Sequence, residues 1–148
     1  MKVLFTAFKG KHNMSFQLVK KISKDALFLT NSFQGLEKDI SLIVFEYNKA
    51  IMFGIDKTLN NQIRIETCAK YNEELIYSNF DITTLENKLK DFKIPYITSS
   101  NPTNYLCNAA YYHMLKKNLN TVFIHIPSIN GMNEGLLSLL IKFFDKLK

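Results

Sequence analysis

The chain's 148 residues, 47% hydrophobic and 13% aromatic, suit one domain around a single core and exclude a disordered polymer. The formal charge of +6 comes from lysines scattered along predicted helices rather than clustered with stacking aromatics, which reads as a solvated surface and not as a nucleic-acid groove. Two cysteines without metal-type spacing to histidine, no cleavage motif at the start and no apolar run long enough for a bilayer lead to the expectation of a soluble, unprocessed cytoplasmic protein without disulfide framework, bound metal or membrane contact.

In chain order, residues 2–8 read as a buried strand and 13–23 as an amphipathic helix capped by Asn13. Residues 26–30 form a second strand, 34–47 a helix, and 50–54 a compact apolar strand ending on glycine. Because parallel strands need long crossovers, and those are usually helices, this alternation predicts a mainly parallel sheet covered on both faces. Residues 62–69 alternate as a strand, with Ile63, Ile65 and Thr67 on one side and Arg64, Glu66 and Cys68 on the other. Residues 70–81 are polar and poorly patterned, with a short strand at 75–77. A helix follows over 83–92, with Leu85, Leu89 and Phe92 as its stripe, then a buried strand over 94–98. Residues 105–119 have helical spacing, 121–126 form a strong strand stopped by Pro127, and 131–148 close the chain as a helix with Leu136, Leu140, Phe143, Phe144 and Leu147 inward. Neither a repeat nor a linker interrupts the pattern, so residues 1–148 are expected to be one domain.

Within this frame Cys107 is the residue to consider as reactive. Pro102 closes a strand, Asn104 is a good N-cap, and Cys107 then falls third in the helix, where free N–H groups and the helix dipole favour a thiolate. The sequence on this ground predicts that Cys107 alkylates at neutral pH much faster than Cys68. The plainer alternative is a lone cysteine packed as a small hydrophobe. A nucleophile needs a base, and His125 is placed at the carboxyl end of a predicted central strand, outside which sites form in open α/β sheets. His12 lies in a polar loop, and His113 comes two helical turns after Cys107, too far along the axis for an easy hydrogen bond. Taken singly, His125 also fits a satisfied core histidine and Glu66 a surface carboxylate.

Several segments together resemble the pyroglutamyl peptidase I family, cytosolic cysteine exopeptidases that remove N-terminal pyroglutamate. They are Tyr105-Leu106-Cys107-Asn108 before an aromatic-rich helix, Phe123-Ile124-His125-Ile126-Pro127, Arg64-Ile65-Glu66 with Ala69 after it, and the opening Lys2-Val3-Leu4-Phe5-Thr6-Ala7-Phe8. The resemblance runs nearly end to end. It implies a three-layer α/β/α sandwich with a mainly parallel, mixed central sheet, a peptide substrate and no cofactor. Cys107 is then the nucleophile, His125 its general base and acid, and Glu66 the group that orients the imidazole. Backbone N–H groups near Cys107 would supply part of an oxyanion hole. The departures fall on substrate recognition. Where the family has Gly-Phe-x-Pro-Phe-Gly-Gly, this chain has Ala7-Phe8-Lys9-Gly10-Lys11-His12-Asn13, so that Phe8 matches the first phenylalanine and the second has no counterpart. Asn13 and Ser15 match the Asn-Pro-Ser that follows. Gly54-Ile55 stands where the family has Gly-Gln, and an arginine-containing family segment after the glutamate is replaced by residues 72–81. Phe8, Asn13, Ile55 and Leu106 are the expected lining of the substrate pocket. Two functions follow, a cysteine exopeptidase for pyroglutamyl or similar small N-terminal residues, or a weak or inactive relative that binds without cleaving. A homo-oligomer is compatible with either.

Overall fold

A computed structural model describes residues 2–103 and 105–148. Its elements are β1 (Val3–Phe8), α1 (Met14–Ile22), β2 (Leu27–Leu29), α2 (Phe33–Ser41), β3 (Lys49–Ile55), β4 (Ile63–Glu66), β5 (Cys68–Tyr71), β6 (Glu74–Tyr77), α3 (Ile82–Asp91), β7 (Tyr96–Ser99), α4 (Leu106–Lys117), β8 (Thr121–Ile126) and α5 (Glu134–Asp145). Six strands make one sheet in the order β2-β1-β3-β8-β4-β7, and β5 with β6 forms a separate antiparallel hairpin. Strands β1, β2, β3 and β8 run parallel to one another; β4 is antiparallel to β8 and parallel to β7, so the sheet is mixed.

The period of two along each strand sorts side chains into two layers. Phe5, Ala7, Ile51, Phe53, Ile63, Ile65, Val122 and Ile124 face α1, α3 and α5, where Phe53 meets Phe144 edge-on at 4.9 Å. Leu4, Phe8, Ala50, Met52 and Phe123 face α2 and α4. The expected three-layer α/β/α single-domain sandwich is therefore present, built around strands buried on both sides as parallel sheets require. The predicted caps hold at α1, where Asn13 Oδ1 accepts from the N–H groups of Ser15 and Phe16 at 2.9 and 3.2 Å. No described helix is long and apolar enough to cross a membrane.

Several expectations are corrected. The helix predicted over 34–47 ends at Ser41, with Leu42 and Val44 exposed beyond it. Ser41 Oγ donates back to Lys38 O at 2.7 Å, and the β-branched Ile43-Val44 pair is a poor continuation of a helix. The strand predicted over 62–69 breaks at Thr67, whose N–H donates to Ser99 O at 2.9 Å; beyond that point the chain leaves the sheet for the β5–β6 hairpin. The strand predicted over 94–98 is an edge strand beginning at Tyr96, with Ile97 exposed.

Candidate active site

The site is built across three neighbouring strands. In register, Gly54 of β3 is opposite His125 of β8, and His125 is opposite Arg64 of β4. Being even steps from Met52, Phe123 and Glu66, all three residues lie on the face that α4 covers. Reversal of β4 relative to its neighbour is what places Arg64 beside His125 and lets Glu66, one pleat along, reach the same imidazole. Glu66 Oε1 lies 3.0 Å from His125 Nδ1, and both side chains are only 7% exposed. The expected histidine–glutamate pair is thus formed.

Cys107 reaches this line from α4. A Cβ built on Gly54 would lie 2.6 Å from Cys107 Sγ and 2.8 Å from Phe123 Cζ, so the sulfur sits where any larger residue at position 54 would put its side chain. Gly54 is needed here for room, not for backbone conformation. Cys107, His125, Glu66, Asn108 and Tyr111 border a cleft of about 10 Å³, room for about one water. Tyr111 donates its hydroxyl to Glu66 O at 2.8 Å, and Asn108 Oδ1 accepts from the N–H of Lys70 at 3.0 Å, tying α4 to the strand and hairpin that carry the carboxylate.

Two sequence expectations about Cys107 change. The proposed cap Asn104 lies outside the described residues; the helix begins at Leu106 with Tyr105 at the N-cap position and without a side-chain cap, which makes Cys107 the second helical residue. The surroundings of the thiol also disfavour a thiolate. Burial, and then the carboxylates of Glu66 and Asp56, push it up to about 12 against the opposing pull of its own backbone N–H and of Arg64. Loss of water and through-space charge outweigh the helix terminus. Cys68, the control thiol, is buried and bonds to Ser100 O at 3.4 Å.

On the other side of Cys107 opens a pocket of about 450 Å³ lined by Phe8, Asn13, Ile55 and Leu106, all four expected there, together with Asn31, Phe33 and Tyr105. The wall is largely apolar and, among the described residues, carries no ionisable side chain other than Cys107 and Tyr105. Asn13 Oδ1 is occupied by its helix cap, so its amide N–H groups are what it can offer a ligand. His113, by contrast, packs against Tyr71 and Tyr112 at 5.4 and 5.3 Å, away from this pocket.

Sequence reasoning missed Asp56 altogether and placed Arg64 only on the same strand side as Glu66, without a role. Arg64 donates from Nε to Glu66 Oε1 at 2.5 Å and from Nη2 to Asp56 Oδ2 at 2.7 Å. Its alternation with Glu66 was the available signal. Asp56 follows the strand in a loop, where spacing says nothing about direction.

No protein-family model and no curated protein matches the chain. Solved structures do. The pyrrolidone carboxyl peptidase of Thermococcus litoralis superposes with a TM-score of 0.81 at 19% identity, over 98% of this chain and 90% of that one. The chain has the fold of the pyrrolidone carboxyl peptidases. A mutant pyrrolidone carboxyl peptidase from Pyrococcus furiosus gives 0.81 at 20% identity, over 99% and 97% of the two chains, and Bacillus amyloliquefaciens pyroglutamyl peptidase I gives 0.80 at 17%, over 98% and 94%. This pyrrolidone carboxyl peptidase fold is the architecture the sequence resemblance implied, and it accounts for the mixed sheet that alternation alone could not specify.

Proposed function

We propose that the protein is a cysteine exopeptidase that removes a pyroglutamyl or similar small, uncharged N-terminal residue from peptides. The observation that carries this reading is the convergence of Cys107 Sγ over Gly54 with the His125–Glu66 pair on the adjoining strands, at the edge of an apolar pocket. The N-terminal residue occupies the pocket against Phe8, Ile55 and Leu106. His125, whose Nδ1–H donates to Glu66, takes the thiol proton on Nε2 as the sulfur attacks the scissile carbonyl; the C–N bond then breaks and the same proton passes to the leaving amine. Water hydrolyses the thioester, again with His125 as base. The backbone N–H groups at the start of α4 face developing negative charge on the carbonyl oxygen. Burial and the nearby carboxylates raise the thiol, so its proton passes to His125 as the sulfur attacks.

A pocket wall without a carboxylate leaves a charged α-amino group unpaired, which favours lactams over free N-termini such as prolyl. The test compares kcat/KM for pyroglutamyl and prolyl aminocoumarin amides, with Cys107→Ala as blank. Cleavage that survives in Cys107→Ala, or none by the wild type, refutes the proposal. The same assay separates the second reading, a binding relative without turnover.

A further inference from the structure

Two partners compete for one nitrogen of His125. Glu66 Oε1 lies 3.0 Å from Nδ1, and Arg64 Nη2 lies 3.4 Å from the same atom. When Nδ1 carries the imidazole proton it donates to Glu66, and Nε2 keeps the lone pair that a base needs. When Nδ1 is bare it accepts from Arg64, the proton moves to Nε2, and that nitrogen can take nothing from a thiol. The basic form of the site therefore depends on keeping the guanidinium from the imidazole.

Asp56 is placed to do this. Its Oδ2 holds Arg64 Nη2 at 2.7 Å, while its Oδ1 accepts from the N–H and the hydroxyl of Thr58 at 2.8 and 2.6 Å. The carboxylate is thus fixed by its own loop, and the guanidinium is pinned between Asp56 and Glu66. Burial works to raise the Asp56 carboxyl, but the Thr58 bonds and Arg64 prevail and hold it at about 2, so it stays an anion wherever the site could work.

We propose that Asp56 is a positioning residue that, by holding Arg64 Nη2, keeps the proton of His125 on Nδ1 and leaves Nε2 free as the base. The catalytic consequence rests on the exopeptidase reading; the tautomer does not. An ion pair that merely staples the β3–β4 loop would leave the tautomer unmoved.

The experiment uses the full chain labelled with 15N-histidine at about pH 9, alkaline to the ordinary imidazole range. Ring nitrogen shifts then report the neutral tautomer, and the His125 signals are identified by their loss in His125→Gln. Wild type is expected mainly as Nδ1–H. Asp56→Asn shifts the ratio about tenfold toward Nε2–H, Arg64→Gln shifts it the opposite way, and Asp56→Glu restores it. With pyroglutamyl aminocoumarin amide, Asp56→Asn lowers kcat and leaves KM within about twofold, since only the proton transfer is touched. Should Asp56→Asn fail to fold, Thr58→Ala, which loosens the same carboxylate, is expected to move the ratio in the same direction by less. An unchanged ratio in a folded Asp56→Asn or Thr58→Ala, or a wild type already on Nε2–H, overturns the proposal. A wild type that cleaves no amide while Asp56→Asn still shifts the tautomer refutes the exopeptidase reading alone.

Discussion

Gly54→Ala is the most direct probe of where the Cys107 sulfur sits. The added methyl would lie 2.6 Å from Cys107 Sγ and 2.8 Å from Phe123 Cζ, whereas ordinary carbon contacts begin at about 3.5 Å, so the sulfur must retreat by about 1 Å or the ring must turn. A displacement of that size at a reacting atom costs about a hundredfold in kcat. Overpacking costs about 1–3 kcal/mol, and the stiffer unfolded chain returns about 0.4–1 kcal/mol, which leaves a net loss of about 1–2 kcal/mol. For a chain of this size that is a fall in Tm of about 2–8 °C. The measurement is kcat for the pyroglutamyl aminocoumarin amide beside a thermal melt, in wild-type and Cys107→Ala backgrounds. Because alanine at 107 removes the sulfur that the methyl meets, part of the stability loss should disappear in the double variant, a coupling that neighbouring sites show and distant ones do not. Wild-type kcat in Gly54→Ala, or identical stability losses in both backgrounds, would show that the sulfur does not occupy the space above Gly54.

Glu66→Gln is expected to lower kcat by about two to four orders of magnitude, less than Cys107→Ala, and adding His125→Ala to Cys107→Ala should cost almost nothing further, as for residues that act as a unit; a Glu66→Gln enzyme at wild-type rate would reassign the carboxylate. With the Cys107 thiol pushed up to about 12, iodoacetamide labelling of the free protein should be slow at neutrality and rise steeply with pH, while Cys68 stays protected; fast labelling at pH 7 would mean that the thiol already meets His125. Asp56, lowered from 3.8 to about 2, stabilises the fold above its unfolded value, and about 2 kcal/mol is lost as pH falls through that interval. Acid titration of wild type against Asp56→Asn checks this: the variant should lose less between pH 4 and 2, and parallel curves would argue against it.

Much of this arrangement was legible in the sequence because it depends on local patterns. The cap at Asn13, the buried run of β8 and the inward stripe of α5 follow from side-chain chemistry and period. The faces of β4 did as well, with Ile63 and Ile65 turned from Arg64 and Glu66. What was not legible depends on neighbours distant in the chain. The direction of β4 is set by its pairing with β8, and the break at Thr67 by the hydrogen bond to Ser99 O. The surroundings of Cys107 were only half legible, because a helix terminus is visible in sequence, whereas burial and two through-space carboxylates are not. Asp56 escaped notice for the same reason, since its role exists only through Arg64.

Strand order also has a consequence for how the protein is made. β8, among the last elements in the chain, inserts between β3 and β4, and it carries His125. Until residues 121–126 have left the ribosome, β3 and β4 each lack a partner along one edge, and neither Cys107 nor Glu66 has His125 beside it. Such pairing between distant segments closes slowly. Assembly of the sheet's centre and of the candidate site is therefore a single, late event.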